Sequence, residues 1–328
     1  MMRLVKPKFF AIVGAVIVAG SVLYFMQRMN SYFLGVVNLT LVNAIAAIGL
    51  VLLSGVAGQI SLGTAGLVAV GAYSTGMLMV HLEVAFLPAA IIGAIITTLI
   101  GTALAAPALR LSGLHLAIVT LAFGIIIVQF IGMGGKLTGG MSGLFLPAAS
   151  IFGWEVNTEY RKLLLVLAPF LLITYASVNF LRLKPGRALH ILRDREMIAR
   201  ALGVNTSAYK IMTFAYSAFL CGVSGALIGT LKGYISVDDF TLWTSLYFFV
   251  MIVIGGITSI AGAIIGAAIV TLLPEMLRGL QEYAQAALGI ITLLIFLFAR
   301  GGVVGLAKRI GIAVIRRPGV AALAPREE

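Results

Sequence analysis

The sequence predicts an all-α polytopic membrane protein with about ten transmembrane helices. Of its 328 residues, 61% are hydrophobic and 10% are charged, whereas an average soluble domain has about 45–50% apolar and about 25% charged residues. The mean hydropathy is +1.12. One soluble core could not bury so many apolar side chains. These figures exclude a soluble enzyme, a disordered protein and a nucleic-acid-binding protein, which needs its basic residues on solvated faces.

Ten apolar stretches are long enough to cross a bilayer, which takes about 20 mostly apolar residues in a helix. They cover residues 9–27, 33–54, 60–80, 85–106, 114–133, 162–181, 211–231, 241–257, 260–277 and 284–300. Helices are expected because a helix satisfies its own backbone hydrogen bonds in lipid. We expect the first stretch to be a retained span rather than a cleaved signal peptide. The stretch at 60–80 is rich in Gly, Ser and Thr, which leaves a discontinuous helix open there.

The basic residues orient these spans. With the N-terminus in the cytoplasm and ten alternating spans, 17 of the 23 Lys and Arg residues lie on the cytoplasmic side. The six on the outer side are Arg28, Lys136, Arg161, Lys162, Lys232 and Arg278. Because cytoplasmic loops are enriched in Lys and Arg, both termini are predicted to be cytoplasmic. The chain then divides into an N-terminal segment with the first helix (1–32), a core (33–300) and a basic tail (301–328).

Residues that could carry enzymatic chemistry are scarce. Cys221 is the only cysteine and lies in an apolar stretch, which excludes an intramolecular disulfide and a cysteine-based metal site. The string around Lys136 is not a P-loop, because Leu137 follows the lysine where Ser or Thr is required. The three histidines lie far apart and argue against a membrane-embedded enzyme. We predict no catalytic residue, no metal, no cofactor and no ATP hydrolysis by this chain.

Residues 182–210 form a predicted cytoplasmic segment that is too polar to cross the membrane. Pro185 and Gly186 should end the preceding membrane helix. Apolar residues then recur at helical spacing from Leu189 onward, and Gly203 is suited to a C-terminal cap. The pattern predicts one short amphipathic helix, or two. Composition alone leaves open a solvated connector, a helix lying on the membrane or an element that docks into a partner.

The same segment resembles the coupling loop of ATP-binding-cassette importer permeases, in the variant of the branched-chain amino acid permeases. The residues that match are Gly186-Arg187-Ala188-Leu189, Arg193-Asp194, Glu196, Ala199, Ala201-Leu202-Gly203-Val204-Asn205 and Tyr209-Lys210. Four further stretches are similar to family motifs in the same order, namely Gly58–Gly63 with Gly71–Tyr73, Leu109–Phe123, Gly255–Gly262 and Leu273–Glu275. The resemblance runs from about residue 36 to 300.

This resemblance implies a type II importer-like permease fold in the bacterial cytoplasmic (inner) membrane, with membrane lipid around it. It implies three kinds of partner: a homologous second permease subunit, two ATP-binding cassette ATPase subunits and a periplasmic or extracellular solute-binding protein. The function it implies is import of branched-chain amino acids by alternating access, coupled through segment 182–210. The residues implied in coupling to the ATPase are Gly186, Arg187, Arg193, Glu196, Ala201 and Gly203.

Small and polar residues that lipid would reject should line the translocation pathway. Gln59 and Ser61 stand out because they lie between Gly58 and Gly63, where a helix break would free backbone groups to face a cavity. The predicted pathway residues are Gln59, Ser61, Thr64, Thr120, Gly140 and Ser142. The competing interpretation is an interhelical hydrogen bond worth ~0.6–2 kcal/mol or, for the loop 138–143, a surface turn.

Three departures from the family pattern keep the substrate open. Thr64 stands where the family often has His, His115 where it usually has an aromatic residue, and Met141 interrupts the Thr-Gly-Gly-Ser order of the outer loop. Relatives carry urea, short amides or aromatic acids, so the same architecture for one of these is an alternative. A self-contained secondary transporter is less favoured, because proton coupling usually needs a carboxylate deep in a span.

Overall fold

A computed structural model describes residues 30–109, 111, 113–151, 154–194, 196–201, 203–276, 289–290, 293 and 302–306. This part of the chain is mostly helical. Its helices are α1 (Ser31–Leu50), α2 (Thr64–His81), α3 (Phe86–Ala108), α4 (Leu114–Met133), α5 (Glu159–Arg182), α6 (Lys184–Asp194), α7 (Glu196–Ala201), α8 (Thr206–Lys232), α9 (Leu242–Gly255) and α10 (Ile260–Met276).

All of these helices except α6 and α7 coincide with the second to ninth predicted spans, to within five residues at each end. Five of the described helical stretches are long and apolar enough to cross a membrane, namely Ser31–Val56, Phe86–Pro107, Leu114–Gly132, Glu159–Arg182 and Thr206–Lys232. The predicted span 9–27 lies outside the described residues, and only residues 289–290 and 293 of span 284–300 are described. A polytopic helical membrane protein is therefore confirmed, and the number ten stays a prediction.

The interruption expected near residue 60 lies before the helix rather than inside it. Helix α1 passes into a π-helical segment, Val51–Val56, and residues 57–63 are not helical. Helix α2 then runs without a break from Thr64 to His81. Gly58 has a φ of +71°, a conformation that glycine adopts without steric cost. We call residues 51–63 the broken segment. Short π-helical stretches are frequently found at functional sites.

Helix α8 lies at the centre of the described bundle, against α1, α2 and α3. Its glycines allow helix backbones to touch. A Cβ on Gly225 would lie 2.0 Å from the carbonyl oxygen of Val68, and one on Gly222 would lie 2.8 Å from the Cα of Ala94. Small residues permit this close approach in membrane helices. Helix α4, in contrast, leaves large apolar side chains such as Ile126 and Phe130 exposed.

The predicted outer end of the bundle carries short strands. Strand β1 (Leu144–Phe145) pairs antiparallel with β4 (Tyr234–Ile235), and β2 (Ser150–Ile151) with β3 (Trp154–Glu155). Two 3₁₀ turns flank the first pair, Gly140–Ser142 and Val237–Phe240. The second turn begins with a capping box. The side chain of Ser236 accepts from the backbone N–H of Asp239, and the side chain of Asp239 accepts from the backbone N–H of Ser236. Helix α9 therefore starts only at Leu242.

The predicted cytoplasmic segment folds as two helices, α6 and α7. Helix α5 ends at Arg182, and Pro185 lies in the first turn of α6, where its missing N–H costs nothing. Gly203 has a φ of +76° after the end of α7. Asn205 then caps α8, because its side-chain oxygen accepts a hydrogen bond from the backbone N–H of Ala208 at 3.1 Å. The helix break and the glycine cap predicted from sequence are confirmed.

Candidate functional site

Four of the predicted pathway residues meet at the broken segment. Gln59, Ser61, Thr64 and Thr120 are all buried, with at most 4% of each residue exposed. The first three belong to the end of the broken segment and the start of α2, and Thr120 reaches them from α4. Sequence reasoning therefore located a cluster that two distant parts of the chain form together.

Hydroxyl groups hold the free backbone of the broken segment. Ser54 Oγ donates to the carbonyl oxygen of Gln59 at 3.2 Å and accepts from the backbone N–H of Ser61 at 3.2 Å. The Oγ1 of Thr120 accepts from the N–H of Leu62 at 3.0 Å. Buried backbone groups need such partners, because an unsatisfied one costs about as much as a lost hydrogen bond. Three backbone groups of the non-helical stretch thus have hydroxyl partners within the protein.

A third hydroxyl comes from α9. Ser245 Oγ accepts from the backbone N–H of Ala65, in the first turn of α2, at 3.0 Å. Neither Ser54 nor Ser245 was among the residues predicted from sequence. Ser54 lies alone in an apolar run and is followed by Gly55, whereas Ser245 follows Thr244 near the start of an apolar run. A serine beside a glycine at the end of an apolar run was the available signal for Ser54; for Ser245 the sequence offered none.

Helices α2 and α4 touch through glycines at this site. A Cβ on Gly63 would lie 2.2 Å from the carbonyl oxygen of Thr120, and one on Gly66 would lie 2.7 Å from the Cα of Gly124. Real side chains cannot come so close, so neither glycine can be enlarged without separating the helices. The approach brings Leu62 within reach of the Thr120 hydroxyl.

A cavity of about 220 Å³ lies beside this cluster, between α2, α4 and the start of α9. Its lining is mainly apolar, with three polar side chains, and consists of Leu62, Gly66, Leu121, Gly124, Ile125, Val128, Gln129, Phe240, Thr241, Leu242 and Ser245. Ile125 and Gln129 are exposed, so the cavity lies at the surface of the described bundle. It is smaller than the ~300–1,000 Å³ of pockets for drug-sized ligands, and its size suits a small, largely apolar solute.

The predicted pathway residues therefore have different places. Gln59, Ser61, Thr64 and Thr120 are buried near the cavity and are not among its lining residues; Thr120 bonds the backbone of Leu62, which does line it. Gly140 and Ser142 belong to the outer loop, where Ser142 is exposed and its carbonyl oxygen accepts from the hydroxyl of Tyr234 at 2.7 Å. Thr138 closes that loop by donating to the carbonyl oxygen of Ile131 at 2.7 Å. The structure does not bring the outer loop residues into the cavity.

Other polar residues in the spans form interhelical hydrogen bonds. Asn43 donates to Thr271 at 3.1 Å, and Ser224 donates to the backbone oxygen of Val42 at 3.0 Å. Asn38 donates to the backbone oxygen of Glu159 at 3.1 Å and to its carboxylate at 3.3 Å. For these residues the contacts match the competing interpretation, in which polar side chains join helices.

Helices α6 and α7, which are predicted to be cytoplasmic, pack on the bundle through one face. Leu189, Leu192 and Ala199 are buried, with at most 4% exposed, which is the face that the helical spacing predicted. Gly186 lies so close to the end of α5 that a Cβ would be 2.1 Å from the carbonyl oxygen of Leu181. Of the residues predicted to couple to an ATPase, Arg187, Ala201 and Gly203 are exposed.

Glu196 and Arg193 have partners within the chain. Glu196 binds Lys210 at 2.9 and 3.0 Å and Arg200 at 2.8 Å. Burial opposes the negative charge of Glu196, but the hydrogen bonds and charges of Lys210 and Arg200 outweigh it and hold the pKa of this carboxyl below its usual value. Arg193 donates from Nη1 to the carbonyl oxygen of Gly55, in the broken segment. Both contacts join the cytoplasmic segment to the membrane helices.

Comparison with known proteins identifies one family. The family model described as "Branched-chain amino acid transport system / permease component" matches residues 32–300. The chain is 28% identical to the high-affinity branched-chain amino acid transport system permease protein LivM of Escherichia coli (strain K12), over 93% of this chain and 76% of that protein. It is 27% identical to LivM of Salmonella typhimurium over the same shares. BraD of Pseudomonas aeruginosa is 26% identical over 49% of this chain and 54% of BraD. No solved structure matches the chain.

Proposed function

Because the chain belongs to the branched-chain amino acid transport system permease family, we propose that it is the transmembrane permease subunit of an ATP-driven importer. Its cargo in this proposal is a branched-chain amino acid, which it moves into the cytoplasm by alternating access. The observation that carries the proposal is the family match over residues 32–300, which includes both the broken segment and the cytoplasmic helices. The permease itself hydrolyses no ATP.

The cavity supports this class of cargo. Its lining has aliphatic side chains such as Leu121, Ile125 and Val128 and polar atoms from Gln129, Thr241 and Ser245. Apolar walls with a few placed polar groups are typical of sites for small organic ligands. No ionisable side chain is among the lining residues, which suits a solute without net charge. A branched-chain amino acid meets these requirements, as do urea and short amides in part.

The partners and topology belong to the same proposal. We infer ten spans with both termini in the cytoplasm, a homologous second permease, two ATPase subunits and a solute-binding protein. The exposed apolar face of α4 supports the second permease, because the cavity lies beside that face and a neighbouring helix would close it. Helices α6 and α7 support the ATPase, because they present exposed residues such as Arg187 on the side with most of the positive charge.

The test is uptake by the reconstituted complex. The chain is expressed with a candidate second permease, ATPase subunits and a binding protein encoded in the same genome, and the complex is placed in proteoliposomes with ATP inside. We expect saturable, ATP-dependent uptake of labelled leucine, isoleucine or valine, with weak competition from urea, acetamide and phenylalanine. Uptake that follows an imposed proton or sodium gradient without ATP would overturn the importer function. Preference for urea or an amide would overturn the cargo alone.

Paired variants on α4 test the cavity. Val128 lines it, whereas Ile126 on the same helix is 63% exposed and does not. Val128→Trp should lower leucine uptake at least about tenfold, which corresponds to about 1.4 kcal/mol, because the larger side chain would occupy space that the solute needs. Ile126→Trp should leave uptake near the unmodified level. Equal uptake by both variants would show that the cavity is not on the pathway.

A further inference from the structure

Arg193 is exposed but also reaches into the bundle. It lies on the side predicted to be cytoplasmic, and Nη1 of its guanidinium donates to the carbonyl oxygen of Gly55. The aliphatic part of the side chain packs over Gly58, where an added Cβ would lie 3.1 Å from Arg193 Cγ. Carbonyl groups in the last turn of a helix lack partners within that helix, and a cation near them is favourable. Arg193 thus supplies a cationic partner to the end of the π-helical segment.

Gly55 connects Arg193 to two other parts of the bundle, the α9–α10 connection and the non-helical residues after the π-helical segment. A Cβ on it would lie 1.6 Å from the carbonyl oxygen of Ile257, so its backbone touches the connection between α9 and α10. Its neighbour Ser54 holds the backbone of Gln59 and Ser61. A displacement of Gly55 therefore moves both the α9–α10 connection and the chain that leads to Leu62, which lines the cavity.

The Arg193 contact is not needed to attach the cytoplasmic helices. Leu189 and Leu192 on the same helix are buried, and Glu196 binds Lys210 in the first turns of α8. These contacts anchor α6 and α7 without the guanidinium. The bond to Gly55 therefore adds a connection between two elements that are already held in place.

We propose that Arg193 is a positioning residue that transmits the motion of α6 and α7 to the broken segment and so to the wall of the cavity. This inference rests on the proposed function, because the motion originates in a docked ATPase. It assigns different roles to two arginines of one helix. Arg187 contacts the ATPase from its exposed position, whereas Arg193 passes the displacement inward through Gly55. A two-state element between the two sites is what such coupling requires, and the broken segment is that element.

The experiment separates attachment of the ATPase from transmission. Arg193→Met keeps the aliphatic contact with Gly58 and removes the guanidinium. In the reconstituted complex it should retain the ATPase subunits on purification and lower leucine uptake at least about fivefold, the lower range of measured coupling between sites. Arg193→Lys should recover part of the uptake, because an ammonium can still reach a carbonyl. Arg187→Met, the matched control, should lose the ATPase subunits.

A labelling measurement excludes a merely structural role. Ser61 binds Ser54 through its backbone N–H, so Ser61→Cys keeps that bond and places a thiol in the broken segment. With Arg193 present, its rate of reaction with a maleimide should change when ATP is added; with Arg193→Met it should not. An ATP-dependent change that survives in Arg193→Met, unchanged uptake, or loss of the ATPase subunits from this variant would each overturn the proposal. Absence of ATP-driven uptake in the unmodified complex would instead contradict the proposed function.

Discussion

The two ends of the described bundle are closed in different ways; we call them the cytoplasmic end and the outer end after the orientation predicted from sequence. At the cytoplasmic end, backbones touch directly: a Cβ on Gly55 would overlap Ile257, and one on Gly255 would lie 1.7 Å from the carbonyl oxygen of Gly262. At the outer end a loop glycine also makes a close backbone contact, since a Cβ on Gly143 would lie 2.4 Å from the carbonyl oxygen of Ile235. Two-residue strands and exposed side chains make the rest of this closure, as in the tilted ring pair of Phe145 and Tyr234, whose centroids are 4.7 Å apart. Phe145 is 76% exposed.

This difference has a mechanical consequence. Close backbone contacts cannot be lengthened without loss of packing, so the cytoplasmic end should respond to a displacement as one unit. At the outer end, part of the closure consists of exposed side-chain contacts such as that of Phe145, so we expect that part to rearrange more easily. An importer driven from the cytoplasmic side needs stiffness at the driven end and freedom at the end that receives the solute. Three paired substitutions test this contrast.

The largest effect is expected from a single methyl group at the cytoplasmic end. Gly55→Ala places a Cβ 1.6 Å from the carbonyl oxygen of Ile257, so the broken segment must separate from the α9–α10 connection. We expect a loss of more than about 3 kcal/mol of stability, the upper range for overpacking. The measurement is thermal unfolding of the purified protein in detergent, followed by fluorescence-detected gel filtration.

Gly233→Ala is the control at the outer end. Gly233 has a φ of +67° but nothing lies within 4 Å of an added Cβ, so the cost is conformational strain of about 1–2 kcal/mol. A Gly233→Ala protein that unfolds at a lower temperature than Gly55→Ala would contradict the contrast between the two ends.

A second comparison uses one ion pair from each end. Glu196 binds Lys210, whose side chain is 11% exposed, whereas Lys232 at the outer end is 42% exposed and binds Asp239. Glu196→Gln should cost about 1–2 kcal/mol, since it weakens hydrogen bonds to the nearly buried charge of Lys210 while the carboxylate itself is 35% exposed and partly screened by solvent. Asp239→Asn should cost at most about 1 kcal/mol, as exposed ion pairs do. Equal losses from the two variants in the same unfolding assay would remove the distinction.

The same pair predicts a pH dependence. The pKa of Glu196 is lower in the folded protein than its usual value of 4.5, so its contribution to stability is complete at neutral pH and is lost as the pH falls below about 4.5. Unfolding temperatures measured from pH 7 down to roughly pH 3 should fall more steeply below about pH 4.5 for the unmodified protein than for Glu196→Gln. Parallel curves would show that this carboxyl does not contribute to folding.

Sequence predicted the elements better than the links between them. Hydropathy located the described membrane helices because each has a continuous apolar surface, either buried in the bundle or exposed on its outside. Gly58 and Gly63 marked the break because glycine tolerates the backbone conformation that a break needs. The π-helical form of 51–56 left no signal, since a π turn differs from an α turn only in its hydrogen-bond register. The inward direction of Arg193 was equally hidden: charge indicates that a residue faces the cytoplasm, not which carbonyl it reaches.

The candidate site shows the same limit. Polarity within apolar runs identified Gln59, Ser61, Thr64 and Thr120. It could not say that these residues are buried near the cavity while mainly apolar side chains line it, because the lining depends on how α2, α4 and α9 come together. Gly140 and Ser142 shared the composition of the broken segment, yet they lie in the outer loop.

The smallest expected effect compares two hydroxyl groups. Ser54 is 5% exposed and bonds two backbone groups of the broken segment, whereas the hydroxyl of Tyr234 bonds one carbonyl, that of Ser142, at the outer end. Ser54→Ala leaves buried backbone groups without this partner and should cost about 1–2 kcal/mol. Tyr234→Phe should cost about 0.5 kcal/mol, because water can replace the lost bond.

Leucine uptake by the same two variants tests this comparison independently of stability. If the cytoplasmic end moves as one unit, Ser54→Ala should also lower leucine uptake, since the chain between Gly55 and Leu62 would no longer be held. Tyr234→Phe should transport normally. If Tyr234→Phe lowers uptake while Ser54→Ala does not, the stiff and the adaptable ends have been assigned the wrong way round, and the outer strands rather than the broken segment would limit transport.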